Sequence, residues 1–352
     1  MATANSSEST LPTLAVDDGI LVSDKMLTYF TMINTLGIGQ SMTILGLIVN
    51  ILNIIVFVRQ GLQDPVNISL LGLSISDFGS LFFHFFANLS WMPDIQMLDL
   101  PFYPGQFSYF FVWIHMVFTR VTTGTTAWIT FERCLCIVVP MKIKSIVTPR
   151  RTILFIVVLN VIMFASVAPV LYTTQFIWMF DSHRNKSILG IMKTAGSGYI
   201  QNIAFWINNI LPTIFFIFIT ICTFILVKSL QKHAKWKEQT VSSPNQKDVS
   251  NRDTKVAKMV SIISIVFIFC YAPGTILFIF FVVFPELTFA GKQRNLLVGI
   301  FTILLQLEVV NATANFFIYL SMSSRFKSTF KDIFCGICSA VNQTANSNVP
   351  TV

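Results

Sequence analysis

Charge is what this sequence most lacks. Only 11% of its 352 residues are charged, against about 25% in an ordinary soluble domain. A chain so poor in charge cannot face water on every side, which excludes a soluble enzyme and a disordered chain. Cysteine is scarce and poorly placed for an external disulfide framework. The six cysteines are Cys134, Cys136, Cys222, Cys270, Cys335 and Cys338, and all fall within apolar runs or beside basic segments. No internal repeat is visible, so a transporter built from inverted halves has no support. Residues 1–25 lack the basic patch and apolar core of a cleavable signal peptide, so the first apolar run is expected to act as the insertion signal.

What is abundant is apolar side chains, 54% of the chain. They gather in seven segments, near 34–58, 67–90, 107–138, 152–172, 200–228, 256–284 and 295–320. Apolar runs of about 18 residues or more read as transmembrane helices. The expected fold is an all-α membrane protein, a bundle of seven transmembrane helices over 34–322, preceded by an extracellular tail over 1–33. Segment 323–336 has a different pattern. Phe326, Phe330, Ile333 and Phe334 share one helical face, with Arg325, Lys327 and Lys331 around them. That is a short amphipathic helix lying on the membrane surface, followed by a cytoplasmic tail over 337–352. Cys335 and Cys338 at its end are candidate palmitoylation sites.

The net charge of +8 would suit a nucleic-acid binder only if the bases formed one patch on a soluble surface. They lie instead on alternate loops. Loop 138–151 carries Lys142, Lys144, Arg150 and Arg151 and no acid, and region 228–258 holds eight bases against three acids. Residues 1–35 and loop 91–104 are net acidic. Lysine and arginine mark the cytoplasmic side, so the N-terminus is expected outside, the C-terminus inside, and the chain at the plasma membrane. The sequons at Asn5 and Asn185 then face the exterior as N-glycosylation candidates. The basic loops suit acidic lipids and a protein partner rather than nucleic acid.

Polar groups inside spans are costly and default to function. Span one holds Asn50, span two holds Asp77, and span three ends in Glu132-Arg133. Pro212 interrupts span five. Span six reads Phe267, Cys270, Tyr271, Pro273, and span seven holds Asn311, Asn315 and Tyr319. A lone Arg133 near the membrane would be expensive, and a neighbouring acid offsets the desolvation. Asp77 needs partners if buried, and Asn50, Thr122, Asn311 and Asn315 are expected to converge on it. Proline removes a backbone hydrogen bond, so Pro212 and Pro273 should kink their helices. The outer span halves are expected to form a pocket. Its candidate linings are His84, Tyr109, His115, Arg120, Asn208, Asn209, Tyr271 and Glu308. Glu308 is expected to turn toward His115 and pair with it when the imidazole is charged. Arg120 has no acid in its own span. It is read as a receiver for a ligand carboxylate or as a structural partner of Asn208 or a backbone carbonyl.

Six such motifs in this order resemble the rhodopsin-like (class A) G-protein-coupled receptors over residues 34–336. The run TAWITFERCL at 126–135, with Pro140 and Met141 after it, is similar to invertebrate neuropeptide-type receptors and molluscan chemosensory receptors. The resemblance implies a receptor that turns binding of an extracellular peptide or small molecule into heterotrimeric G-protein activation, with no enzymatic step. It implies that Asp253 holds Arg133 in the resting state, that Phe267 and Tyr271 pack around the span-six pivot, and that Pro140 and Met141 face the G protein. It also implies an allosteric sodium ion at Asp77, Thr122, Asn311 and Asn315, the other reading being a protonated Asp77 in a hydrogen-bond network. No other cofactor is implied.

Val309 stands where visual pigments carry the retinal lysine, and His115 where aminergic receptors carry an aspartate. An opsin and a bioamine receptor are therefore disfavoured. The chain also departs from the family pattern. Ser108 stands where a cysteine usually ties span three to the second outer loop, and loop 173–199 has no cysteine, so that loop is held by packing or moves. Leu159 or a neighbour replaces the span-four tryptophan, Thr220 a span-five tyrosine, and Phe316 a span-seven proline. The alternatives are a seven-helix ligand-gated channel or transporter, and a receptor-like chain that no longer signals.

Overall fold

The computed structural model describes residues 21–139, 143–182, 184–239, 247–284 and 291–334. The chain starts with α1 (Asp24–Thr31), passes through a π-helical stretch at Met32–Gly39 and continues as α2 (Gln40–Gln60). The first rod thus begins at Asp24, not near residue 34. Ser23 caps it by accepting from the Met26 amide at 3.3 Å. There follow α3 (Pro65–Leu89), α4 (Pro93–Met97), α5 (Pro104–Val138), α6 (Ile143–Ile146) and α7 (Pro149–Tyr172). Each of these except α6 opens on proline, whose missing N–H is no loss where the amide would be unpaired anyway. After the strands β1 (Thr174–Asp181) and β2 (Lys186–Lys193) come α8 (Ser197–Gln239), α9 (Lys247–Val283) and α10 (Arg294–Met322). Ser323 breaks the chain direction, and α11 spans 324–334.

Six of these helical rods are long and apolar enough to cross a membrane. The seventh long helix, α5, is 35 residues and too polar for that set, because it is the inner post of the bundle. It packs against α3, α7, α8 and α9, and its threonines at 119, 122, 123, 125, 126 and 130 are all buried. In lipid, helices associate through close packing rather than by escaping water. Gly124 shows the requirement: a Cβ there would lie 2.6 Å from Cδ2 of Leu159. Leu159 is buried with Val117, Val121, Met163 and Val167, so it does fill the span-four position. Towards the α11 end, Phe57, Tyr319, Phe316 and Phe326 form one aromatic core. Phe57 meets Tyr319 edge-on at 5.1 Å. Phe316 packs on Phe326 and Phe330, and α10 runs without a break through it.

Loop 173–199 is a hairpin, which the sequence reading did not foresee. β1 and β2 pair antiparallel from Thr174↔Lys193 to Asp181↔Lys186, turning through Asn185 at φ 48°. The hairpin is held without sulfur. The Leu189 amide donates to the Pro101 carbonyl at 2.8 Å, and the Ile191 amide to Oε1 of Gln106 at 2.9 Å. Phe176 stacks between Phe107 and Phe110. The Tyr103 hydroxyl donates to Asp181 at 2.9 Å, which holds the phenol above its ordinary value of 10.0. Lys186 pairs with Asp99 and, by hydrogen bond and charge, keeps that carboxyl below its ordinary 3.8.

Candidate functional site

A cavity of about 810 Å³ lies among α1, α3, α5, α8, α9 and α10. Of the residues expected there, His84, His115, Arg120, Asn209, Tyr271 and Glu308 line it. Two do not. Asn208 is fully buried at the α7 contact, donating to Ser166 Oγ at 3.1 Å and to the Ala204 carbonyl at 2.9 Å. Tyr109 lies higher on α5, with the Lys193 ammonium 4.6 Å from its ring centre. Asn208 is one residue off the face that α8 turns inward at Asn209, whereas Tyr109 shares the inward face of α5 with Val112, Trp113 and Met116 but stands a turn above them. The reading missed Trp91, Trp113 and the α1 side chains Leu27, Thr28 and Thr31, because α1 was taken as tail.

At the cavity floor, Glu308 reaches two partners. Its Oε2 is 3.3 Å from Nε2 of His115 and its Oε1 is 3.9 Å from NH1 of Arg120. Arg120 therefore meets an acid from α10, not Asn208. His115 Nδ1 lies 2.9 Å from the Ser80 carbonyl oxygen, and its ring centre is 5.0 Å from that of His84. Phe267 and Tyr271, both lining the cavity, stack at 4.2 Å. Pro212 lines the cavity, whereas Pro273 is on the exposed face of α9.

Deeper still, Asp77 accepts from Thr122 at 2.8 Å and from Asn315 at 2.9 Å. Asn50 does not join them. It donates to the carbonyls of Gly46 and Ala312, bridging α2 to α10. Asn311 is buried but is not among the hydrogen-bond partners of Asp77. The Oδ1 of Asn315 is buried without a partner. That spare acceptor beside a carboxylate suits a small cation.

Glu132 is completely buried and accepts from Trp128 at 2.9 Å, Ser69 at 3.1 Å and Thr152 at 3.1 Å. Three neutral donors from α3, α5 and α7 satisfy it, so the expected direct pairing with Arg133 is replaced. Among the described residues the two form no close ion pair. Arg133 is buried, its Nε without a partner. One turn away, Thr130 and Ser264 join α5 to α9 through hydroxyls 2.7 Å apart. The Trp128–Glu132 spacing of four was a readable signal for this network; Ser69 and Thr152 are distant in sequence and gave none. Thr220 is exposed on α8, donating to the Phe216 carbonyl, so it faces away from the helix interior. Asn185 is exposed at the hairpin tip. The side chain of Asp253, and Pro140, Met141, Cys335, Cys338 and Asn5, lie outside the described residues.

No curated protein matches the chain. A family model described as the serpentine type 7TM GPCR chemoreceptor Srw matches residues 38–336. That span covers every long helix from α2 to α10 and the whole of α11. The chain belongs to the Srw family of serpentine seven-transmembrane chemoreceptors.

Proposed function

We propose that this chemoreceptor binds an extracellular ligand in the 810 Å³ cavity and transmits the event to a heterotrimeric G protein. The observation that carries this reading is a continuous stack from cavity to inner face. Tyr271 lines the cavity and stacks on Phe267. Three residues before Phe267, Ser264 ties α9 to α5 beside Arg133. A ligand that shifts Tyr271 tilts α9, breaks the Thr130–Ser264 bond and frees Arg133 for the partner. Binding and coupling are then reciprocal, so the G protein tightens agonist affinity.

In this reading the N-terminus is outside, and the loops rich in lysine and arginine face the cytoplasm and its acidic lipids. Asp253 is a second resting-state partner for Arg133. The rhodopsin-like resemblance extends the analogy to a sodium ion held by Asp77, Thr122 and Asn315, stabilising the resting state. It also extends to palmitoylation at Cys335 and Cys338 and glycosylation at Asn5 and Asn185.

The deciding experiment is G-protein nucleotide exchange in cells expressing the chain, challenged with fractionated tissue extract. A response abolished by Arg133→Ala at equal surface expression supports the reading, and protease sensitivity of the active fraction marks a peptide. Ion currents that persist with G proteins blocked would replace it with a channel. Ser264→Ala and Asp253→Ala should each raise basal exchange, and unchanged basal exchange in both removes the proposed lock. Sodium titration that leaves agonist affinity unchanged removes the ion.

A further inference from the structure

Three ionisable side chains share the cavity floor, and counting their protons determines what the cavity accepts. Nδ1 of His115 lies 2.9 Å from the Ser80 carbonyl oxygen and 3.1 Å from the Ser80 hydroxyl, which can accept as well as donate. A carbonyl only accepts, so Nδ1 carries the hydrogen. In a neutral imidazole the other nitrogen is then a bare acceptor. That nitrogen, Nε2, stands 3.3 Å from Oε2 of Glu308 and has no hydrogen-bond partner. A bare nitrogen would be repelled by a carboxylate oxygen. One proton therefore belongs to the His115–Glu308 pair, and the pair as a whole is neutral.

Arg120 is left over. Its NH1 is 3.9 Å from Glu308 Oε1, beyond hydrogen-bond length, and its side chain is only 14% exposed. Its Nε is buried without a partner. A guanidinium offers five donors, and a desolvated one with unused donors is costly until an anion fills them. The other groups around the pair do not supply that anion. His84 on α3 has Nε2 engaged by Asn88 at 3.1 Å, and Tyr271 faces the site from α9. Asp77 lies a turn below Ser80, held by Thr122 and Asn315, and does not line the cavity. At the mouth the exposed lining charge is another cation, Arg294.

We propose that the cavity takes a small organic acid, its carboxylate gripped by Arg120 and its apolar body lodged among Trp113, Phe216 and Phe278, while His115 and Glu308 keep their shared proton. The proposal rests on the receptor reading above and names its ligand class. A cationic head would have to strip the shared proton and draw Glu308 from Arg120, leaving the guanidinium with nothing. The volume falls within the ~300–1,000 Å³ of small-molecule sites, and the α1 residues Leu27, Thr28 and Thr31 wall the outer end. A peptide with a free C-terminal carboxylate presents the same head group, but its remaining residues would have to displace α1.

The test uses the full chain in phosphatidylcholine nanodiscs and isothermal titration. The probes are 3-(2-naphthyl)propanoate and indole-3-acetate, with the primary amide and the amine of each skeleton. A hexapeptide ending in tryptophan with a free carboxylate is the fourth probe type. The carboxylates should bind about 10- to 150-fold more tightly than the amides. Arg120→Gln should remove that preference, and Arg120→Lys should keep it at reduced affinity. Tightest binding by the amines, or no binding of either carboxylate to folded wild-type chain, overturns the proposal. Tighter binding by the hexapeptide than by the small acids overturns the small-molecule source. Should Arg120→Gln fail to fold, the wild-type comparison of acid, amide and amine still decides. Binding of amines with intact G-protein exchange would sink the ligand class alone. Carboxylate binding with no exchange in any membrane system would sink the receptor reading alone.

Discussion

Two carboxylates inside the bundle, the buried Glu132 and the half-buried Glu308, are held in opposite ways. Glu132 accepts three hydrogen bonds of 2.9 to 3.1 Å from three helices. Glu308 has two loose contacts, at 3.3 and 3.9 Å, with side-chain exposure of 18%. Both acids come from spans and both sit near an arginine. The first is saturated and so fastens α3, α5 and α7 together. The second is underfilled and so is ready to change partners. In a bundle where lipid offers no hydrogen bonds, saturation marks structure and deficit marks a place for a ligand.

The sharpest way to break this contrast is Glu132→Ala. It orphans the Ser69, Trp128 and Thr152 donors together, and should cost about 3 kcal/mol in unfolding measured in mixed micelles. A loss no larger than that of Glu308→Gln would abolish the distinction. Thr122→Val, which takes a donor from Asp77, should cost about 1–2 kcal/mol by the same measurement. Ser69→Ala, leaving Glu132 two of its donors, should cost about 1 kcal/mol. Glu308→Gln should change stability by less than about 0.5 kcal/mol, since few good contacts are lost, while altering the ligand response.

The smallest effect concerns the hairpin. Lys186 holds Asp99 below 3.8, so the pair's contribution is present above that value and is lost as pH falls through the depressed one. Exchange at the Leu189 amide, corrected for its intrinsic pH dependence, should speed up as pH falls below 3.8. Asp99→Asn should remove the change. No change in the wild-type chain would mean that the backbone bond to Pro101 suffices.

The seven rods were legible because lipid imposes length and apolarity on each, and the surface helix because its phenylalanines recur on one face. The outer end of the first rod was not. Its polar run at 23–35 reads as tail, and only contacts with Asn295 and Thr302 on α10 make it a wall. The hairpin was also hidden, since β1 alternates large apolar residues on both faces. At the site, the facing of Glu308 toward His115 could be read by counting back from Asn315. The partner of Arg120 could not, because it lies on another helix almost two hundred positions away. Asn208 shows the opposite failure: one step of phase from Asn209 turns it into a neighbouring helix contact, while Tyr109 has the right phase and stands too high on α5.

The cysteine-free hairpin bears on how the protein matures. Its strands are secured by hydrogen bonds, the ion pairs of Asp181 and Lys186, and stacked rings, and neither strand contains cysteine. Closure therefore awaits no oxidant and no isomerase, and proceeds on the microsecond scale of a forming strand pair rather than the seconds to hours of thiol exchange. A chain built this way completes the hairpin end of its bundle in whatever redox setting it is inserted, and reducing agents that unlatch a disulfide-braced loop leave this one shut.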